Sequence, residues 1–260
     1  MRIITTHSCR GGTGVSTIVA NLAVLLAERG HRVGVIDAAV YSPGLHVLLG
    51  LDHTIRRFTL SDYLQGRGPV EEAVVDVTDS VLPSTRTNSS GRIFFVPASM
   101  RNGDIAHILK HGYSAELLNE GIQSLGPRFA LDFLLIDTQP GVNGHALLSI
   151  ALSDALLLVL RPDHQDYQGM TVTLDLVRRL EVPQLLLVVN KVLAVIHGSG
   201  IEEDISAACR TPVAAVLPLA EELIRLGSKG VLAAAMPTAP FIGHLRQVVA
   251  LLDESGRYYR

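Results

Sequence analysis

A glycine-rich stretch near the start of the chain constrains the fold more than any other part of the sequence. Residues 8–17 read Ser-Cys-Arg-Gly-Gly-Thr-Gly-Val-Ser-Thr, between a short apolar segment at residues 3–4 and a long amphipathic segment at residues 18–29. Glycines lack a Cβ, so backbone N–H groups can converge there. The start of a helix adds unpaired N–H donors and a partial positive charge. This order predicts a strand, a phosphate-holding loop and a helix.

The loop departs from the standard phosphate-binding sequence at one chemical position. That sequence is G-x-x-x-x-G-K-[ST]. Gly14 is the last glycine and Ser16 stands at the position of the Mg²⁺-binding hydroxyl, but Val15 replaces the lysine. We assign nucleotide contacts to the whole stretch, namely Arg10, Gly11, Gly12, Thr13, Gly14, Val15, Ser16 and Thr17.

Lysine is scarce in this chain, and most of the basic charge is carried by arginine. The three lysines are Lys110, Lys191 and Lys229. None of them lies in the glycine loop, so no shift of register restores the missing lysine.

Apolar segments of strand length alternate with helical segments along the chain. We predict seven core strands, at residues 1–6, 33–37, 92–97, 133–137, 155–160, 183–189 and 213–217. Such alternation favours a mostly parallel sheet that is covered on both faces. The length of 260 residues and the 48% hydrophobic content suit one domain over residues 1–260. The predicted fold is therefore α/β, a mostly parallel, doubly wound sheet with helices on both faces.

Polar residues follow several of these strands. Asp37 ends the second strand, Asp137 ends an apolar strand in the Walker B pattern, and Asn190 follows a later strand. The carboxyl ends of parallel strands gather in one crevice where ligands bind. A Walker B carboxylate usually holds Mg²⁺ through water. We predict Ser16, Asp37 and Asp137 as the Mg²⁺ site. For Asn190 a purely structural role, in which the asparagine closes a strand into a turn, stays an alternative to ligand binding.

These segments resemble the MinD/ParA family, P-loop NTPases of the SIMIBI class with a deviant Walker A loop. The family pattern is x-K-G-G-x-G-K-[ST], and Arg10 stands at the place of its first lysine, which reaches across a dimer to the partner's nucleotide. Residues 37–50 resemble the family's D-x-D followed by a P-[GS]-L-x-x-x-L-G-like stretch, and residues 137–141 resemble its D-[TC]-P-P-G switch loop. The resemblance spans nearly the whole chain.

The resemblance implies ATP or ADP with Mg²⁺ as the cofactor. Asn190 matches the asparagine that reads adenine in the family, since an amide offers both a donor and an acceptor to a base edge. We also assign Pro218, which follows the last apolar strand, to this nucleotide site. Asp37 matches the first carboxylate of D-x-D, but Ala39 replaces the second, which positions the attacking water in the family.

The two replacements predict impaired hydrolysis. A P-loop lysine contacts the β- and γ-phosphates, and losing one such charge costs a factor of about 10² to 10³ in rate. We assign no catalytic residue; Arg10, Asp37 and Asp137 are the candidates.

The predicted function is a nucleotide-binding, dimerising switch or scaffold for intracellular positioning or assembly, with impaired or absent ATP hydrolysis. Two alternatives stay open. In the first, Arg10 supplies the lost charge and the protein is a slow ATPase. In the second, the pocket holds no nucleotide and the protein is an interaction module or the inactive partner of an intact paralogue.

Composition and charge exclude several partners. The net charge of −3 provides no basic field for nucleic acid or an anionic membrane. The longest apolar run, residues 146–160, is interrupted by Asp154 and too short to span a bilayer. Cys9 and Cys209 have no metal-ligand spacing, whereas iron–sulfur carriers of this superfamily need paired cysteines. We expect a cytoplasmic protein that forms a homodimer, or a heterodimer with a paralogue, through residues 140–145 and 163–168, and an unidentified protein partner.

Overall fold

A single sheet organises the part of the chain that the structure describes. The computed structural model describes residues 1–51, 58–82, 90–193 and 200–255. Its strands are β1 Arg2–His7, β2 Arg32–Ala38, β3 Val75–Asp76, β4 Arg92–Val96, β5 Phe133–Thr138, β6 Ala155–Leu160, β7 Gln184–Val192 and β8 Val213–Pro218. The order across the sheet is β3-β4-β2-β5-β1-β6-β7-β8, and only β3 runs antiparallel to its neighbour. The predicted mostly parallel α/β sheet is confirmed.

Helices connect the parallel strands, and within the residues described three more follow the last strand. They are α1 Val15–Glu28, α2 Leu45–Leu48, α3 Leu60–Leu64, α4 Thr78–Val81, α5 Asn102–His111, α6 Ala115–Phe129, α7 Gly144–Ala151, α8 His164–Arg179, α9 Ile201–Cys209, α10 Glu221–Leu226, α11 Leu232–Ala235 and α12 Pro240–Ser255, with a 3₁₀ turn at Val70–Ala73. Within the described ranges, none of them combines the length and the hydropathy that crossing a membrane would require.

Successive side chains of each strand pack on opposite faces of the sheet, as the pleat of a β-strand requires. Ile4 packs into the layer that contains α1 and α12, whereas the preceding Ile3 packs into the layer that contains α6. Leu157 and Leu158 divide in the same way, the second facing α8. Both faces of the sheet are therefore covered by helices, as the sequence predicts.

Several elements are absent from the sequence prediction, namely the strand β3 and the helices α2, α4, α7, α9 and α11. The strand β3 has two residues and pairs with β4 at the edge of the sheet, which is too short for an apolar pattern to show. The helix α7 begins two residues before the apolar run of residues 146–160 and extends into it, and the apolar composition conceals the boundary between helix and strand. A local polar contact marks its start, because the Asn143 side chain accepts a hydrogen bond from the Ala146 N–H at 2.9 Å.

Candidate functional site

The glycine loop joins β1 to α1 at the carboxyl edge of the sheet. Gly12 and Gly14 have φ angles of 78° and 101°, which side-chain-bearing residues rarely adopt. The helix α1 begins directly after Gly14 and no side chain caps it. Its first-turn N–H groups have no acceptors within the helix, so the loop presents donors and partial positive charge to an anion.

An amide from β7 closes the loop from the opposite side. The buried Asn190 donates from Nδ2 to the Thr13 carbonyl at 2.7 Å, and its Oδ1 accepts from the Lys191 N–H at 2.8 Å. A Cβ atom on residue 14 would lie 2.5 Å from Asn190 Nδ2, so the contact requires glycine there. The structure therefore brings Asn190 to the loop as the sequence predicts, and a role in reading a base stays a prediction.

A lysine that is not among the site residues assigned from the sequence also reaches the loop. Lys191 Nζ donates to the Gly12 carbonyl at 2.6 Å, although the two residues are 179 positions apart in the chain. The signal in the sequence is its position directly after Asn190 at a strand end. Residues 8–17 contain no lysine, but in the folded chain a lysine from β7 is hydrogen-bonded to the loop.

Two carboxylates lie side by side beneath the loop. Asp37 and Asp137 are register partners on β2 and β5, and both are buried. Asp37 accepts backbone N–H bonds from Ala39 at 3.2 Å and Leu45 at 3.4 Å. Burial, followed by the charge of Asp137, raises the pKa of Asp37 well above its usual value. Burial likewise raises the pKa of Asp137, with a smaller opposing effect from the Ser16 hydroxyl.

The residues present fit a magnesium ion. Within the described residues, neither carboxylate oxygen of Asp137 has a hydrogen-bond partner of normal geometry. Buried carboxylates without partners are costly, and hard oxygen ligands such as carboxylate and hydroxyl groups are those that Mg²⁺ prefers. Asp37, Asp137 and the hydroxyl of Ser16 would hold the ion, which supplies positive charge next to bound phosphates.

The two replaced positions carry no polar side chain. Val15 is 9% exposed and packs in the hydrophobic core around α1, and Ala39 is 7% exposed. Ala39 contributes only its backbone N–H, which donates to Asp37. Neither position therefore supplies a cation for phosphate or a carboxylate for water.

Arg10 is held by α8 within the same chain. Its guanidinium hydrogen-bonds the Gln165 side chain and lies 4.0 Å from Asp166 Oδ1, with 43% of the arginine side chain exposed. Burial alone would raise the pKa of Asp166, but hydrogen bonds from Arg161 lower it, so this carboxylate stays ionised. In the single chain Arg10 therefore lies against residues 163–168, a segment predicted to meet a partner.

A buried histidine joins the loop strand to the switch segment. The Thr138 hydroxyl donates to the Thr6 carbonyl at 2.9 Å, so it can only accept from His7 Nδ1, which lies 2.8 Å away. Burial lowers the pKa of His7 to about 4. The ring is therefore neutral at physiological pH and fixes the end of β1 against the end of β5. No sequence pattern indicates this contact.

Pro218 is the last residue of β8, the strand next to β7 in the sheet. The Leu219 N–H donates to the Val192 carbonyl at 2.8 Å, which ties the end of β8 to the end of β7. A cleft of about 280 Å³ begins there, lined by Pro218, Leu219, Ala220, Glu221, Glu222, Arg225, Pro240 and Phe241. The structure thus brings together the loop, Asn190, Asp37 and Asp137, and it places Pro218 beside a separate cleft at the same edge.

Comparison with known proteins identifies relatives over most of the chain. A family model described as ParA: NUBPL iron-transfer P-loop NTPase matches residues 1–250. An uncharacterized ATP-binding protein of Methanocaldococcus jannaschii is 26% identical over 211 residues, which cover 81% of this chain and 72% of the relative. The septum site-determining protein MinD of Synechocystis is 25% identical over 232 residues, covering 88% and 80% of the two chains.

Solved structures show the same fold. The MinD cell division protein of Aquifex aeolicus superposes with a TM-score of 0.79 at 20% identity, covering 98% of this chain and 97% of that one. MinD from Pyrococcus horikoshii, solved as a complex with Mg-ADP, gives a TM-score of 0.76 at 23% identity, covering 97% and 96%. The resemblance stated from the sequence is confirmed by these matches.

Proposed function

Because the chain belongs to the ParA family of P-loop NTPases, we propose that it binds ATP or ADP with Mg²⁺ at the carboxyl edge of its sheet. The observation that carries this proposal is the buried pair Asp37 and Asp137, where neither oxygen of Asp137 accepts a hydrogen bond of normal geometry from the described residues and the Ser16 hydroxyl lies close by. A divalent cation would relieve the repulsion of the two carboxylates. Residues 10–17, Asn190 and Pro218 are the proposed nucleotide contacts.

The bound nucleotide is proposed to act as a switch or scaffold signal rather than as a rapidly consumed substrate. Val15 is packed in the core and Ala39 ends in a methyl group. The positions that would stabilise transferring phosphate and orient water therefore lack their charges. We expect turnover lower than that of an intact site by a factor of about 10² to 10³ or more. Arg10, engaged by Gln165 and Asp166, is not directed at its own loop.

Dimerisation is the second part of the proposal. Residues 140–145 expose Val142, which is 45% accessible, and residues 163–168 hold Arg10. These two segments are the proposed contact with a second copy of this chain or with a paralogue in the cytoplasm. A solved Aquifex aeolicus structure contains a MinC:MinD complex, and a further protein partner is proposed for this chain too. Sedimentation with and without Mg-ATP tests this part.

Iron transfer, which the name of the matching family model mentions, is not proposed for this chain. Cys9 and Cys209 are free thiols. In the described part of the structure, no group of three or more His, Cys, Asp or Glu side chains is arranged to hold a metal.

The deciding experiment measures nucleotide affinity and turnover together. The wild-type chain is compared with a Val15→Lys, Ala39→Asp double variant, by calorimetric titration of ADP and ATP with Mg²⁺ and by phosphate release. We expect the wild-type chain to bind without turning over, and the double variant to hydrolyse ATP faster. Equal hydrolysis by both chains would support the slow ATPase that uses Arg10. If neither chain binds nucleotide, the remaining alternative is an interaction module whose pocket holds no nucleotide.

A further inference from the structure

The end of β7 is irregular where it meets the glycine loop. The pairing of β7 with β8 shifts register between Val189 and Val192, and Lys191 has a φ of 61°. Consecutive strand residues normally point to opposite faces, and an irregularity of this kind redirects a side chain. Here Asn190 and Lys191 both turn toward the loop. A lysine in the left-handed region is strained, and strained residues concentrate at functional sites.

The two side chains bond to consecutive carbonyls of the loop. Asn190 Nδ2 donates to the Thr13 carbonyl and Lys191 Nζ donates to the Gly12 carbonyl, at 2.7 and 2.6 Å. An ammonium group has three donors, and one of them satisfies the Gly12 carbonyl. Lys191 is exposed, and among the described residues Nζ has no hydrogen-bond partner besides the Gly12 carbonyl, so its other two donors can reach an anion on the loop.

We propose that Lys191 supplies the positive charge toward bound phosphate that Val15 does not. The charge enters the loop from β7 instead of from the first turn of α1. The inference rests on the proposed function, because it requires a nucleotide in this loop. In this arrangement the end of β7 fixes the loop through Asn190 and provides its cation through Lys191. Arg10 is instead held by α8.

The first test separates phosphate recognition from recognition of the rest of the nucleotide. Affinities for ATP, ADP and adenosine are measured for the wild-type chain and for Lys191→Met, which keeps the length of the side chain without its charge. We expect ATP and ADP to bind about 10- to 100-fold more weakly, and adenosine to bind equally well. Lys229→Met, at an exposed lysine outside the site, is the matched control and should change nothing.

Two further variants separate charge from folding. Lys191→Arg keeps the charge and should keep most of the ADP affinity. Lys191→Gly removes the charge but accepts a φ of 61° without strain. It should unfold at a temperature no lower than that of the wild type while losing ADP affinity to the same extent as Lys191→Met.

The outcomes separate this inference from the proposed function. Wild-type binding of ADP with unchanged binding by Lys191→Met would overturn the inference alone. An equal loss of ADP and adenosine would also overturn it, because Lys191 would then act through loop structure. Absence of ADP and ATP binding by the wild type would overturn the proposed function and this inference together.

Discussion

The carboxylates of Asp37 and Asp137 are register partners on adjacent parallel strands, and both are almost fully removed from solvent. Asp37 accepts two backbone hydrogen bonds, whereas Asp137 accepts none of normal geometry from the described residues. Because two buried carboxylates on adjacent strands repel each other when both are charged, ionisation of Asp37 and Asp137 together is disfavoured. Without a bound cation this pair would therefore destabilise the fold at neutral pH, and cation binding would offset that cost.

Asp137→Asn should stabilise the metal-free protein. Burial raises the pKa of Asp137. A group with a raised folded pKa stabilises at low pH, and that contribution is lost as pH rises through the folded pKa. The asparagine amide does not ionise, so no buried charge forms at pH 8. We therefore expect the free energy of unfolding at this pH to rise by about 1–3 kcal/mol. Urea unfolding without Mg²⁺ measures this change.

The same variant should abolish the effect of Mg²⁺ on ADP affinity. Asp175→Asn, at a carboxylate whose side chain is 68% exposed on α8, is the control and should leave stability and Mg²⁺ dependence unchanged. A metal-free Asp137→Asn protein less stable than the wild type would contradict the account of the pair as a site of stored repulsion.

Gly14→Ala should cost more than Gly12→Ala, although both glycines have positive φ. At Gly12 a Cβ atom meets nothing within 4 Å, so only the left-handed backbone is penalised, by about 1–2 kcal/mol. At Gly14 the Cβ atom would also lie 2.5 Å from Asn190 Nδ2, which displaces the bond to Thr13. We expect a total cost of about 2–4 kcal/mol, measured by thermal unfolding.

Asn190→Ala provides the internal control for this clash. If the amide is the obstacle, the double variant Gly14→Ala, Asn190→Ala will be less destabilised than the sum of the two single variants. Strict additivity would show that the backbone strain at Gly14 accounts for the whole effect.

His7 should make stability depend on pH between about 4 and 6.5. Burial lowers its pKa to about 4, below the ordinary value of about 6.5. The unfolded state therefore binds a proton first, and stability falls as pH decreases through this window. His7→Asn can still donate to Thr138 and cannot charge. It should remove about 2–3 kcal/mol of this pH dependence, and an unchanged profile from denaturant unfolding would refute the assignment.

Asp104 should dominate a lower window of pH. Burial alone would raise its pKa, but hydrogen bonds from Ser99, Arg67 and other partners lower it to about 2. Its contribution is present above the ordinary pKa near 3.9 and is lost as pH falls toward 2. Asp104→Asn should flatten the unfolding profile there by about 1–2 kcal/mol, because solvent screens the half-exposed arginines. The His7 window should stay unaffected.

The sequence alone determined the strands and the residues that end them. Apolar segments of strand length are local features, and all seven predicted core strands are present. The carboxyl ends of parallel strands share one edge, so strand order along the chain suffices to predict Asp37, Asp137 and Asn190 near the loop. The family resemblance follows from the same local segments. The strand β3 escapes prediction because it has only two residues, and the helix α7 because most of it lies in an apolar run that continues into β6.

Tertiary structure decided where the side chains of the site point. The sequence shows that no lysine lies in the glycine loop, yet the folded chain places Lys191 on the Gly12 carbonyl. That contact depends on a register shift in β7 and on a positive φ at Lys191, which no spacing of residues reveals. The sequence likewise does not reveal that the Val15 side chain packs into the core or that His7 is hydrogen-bonded to Thr138. The direction in which a side chain points depends on strand pairing and on packing between distant segments, and apolar patterns in the sequence do not encode either.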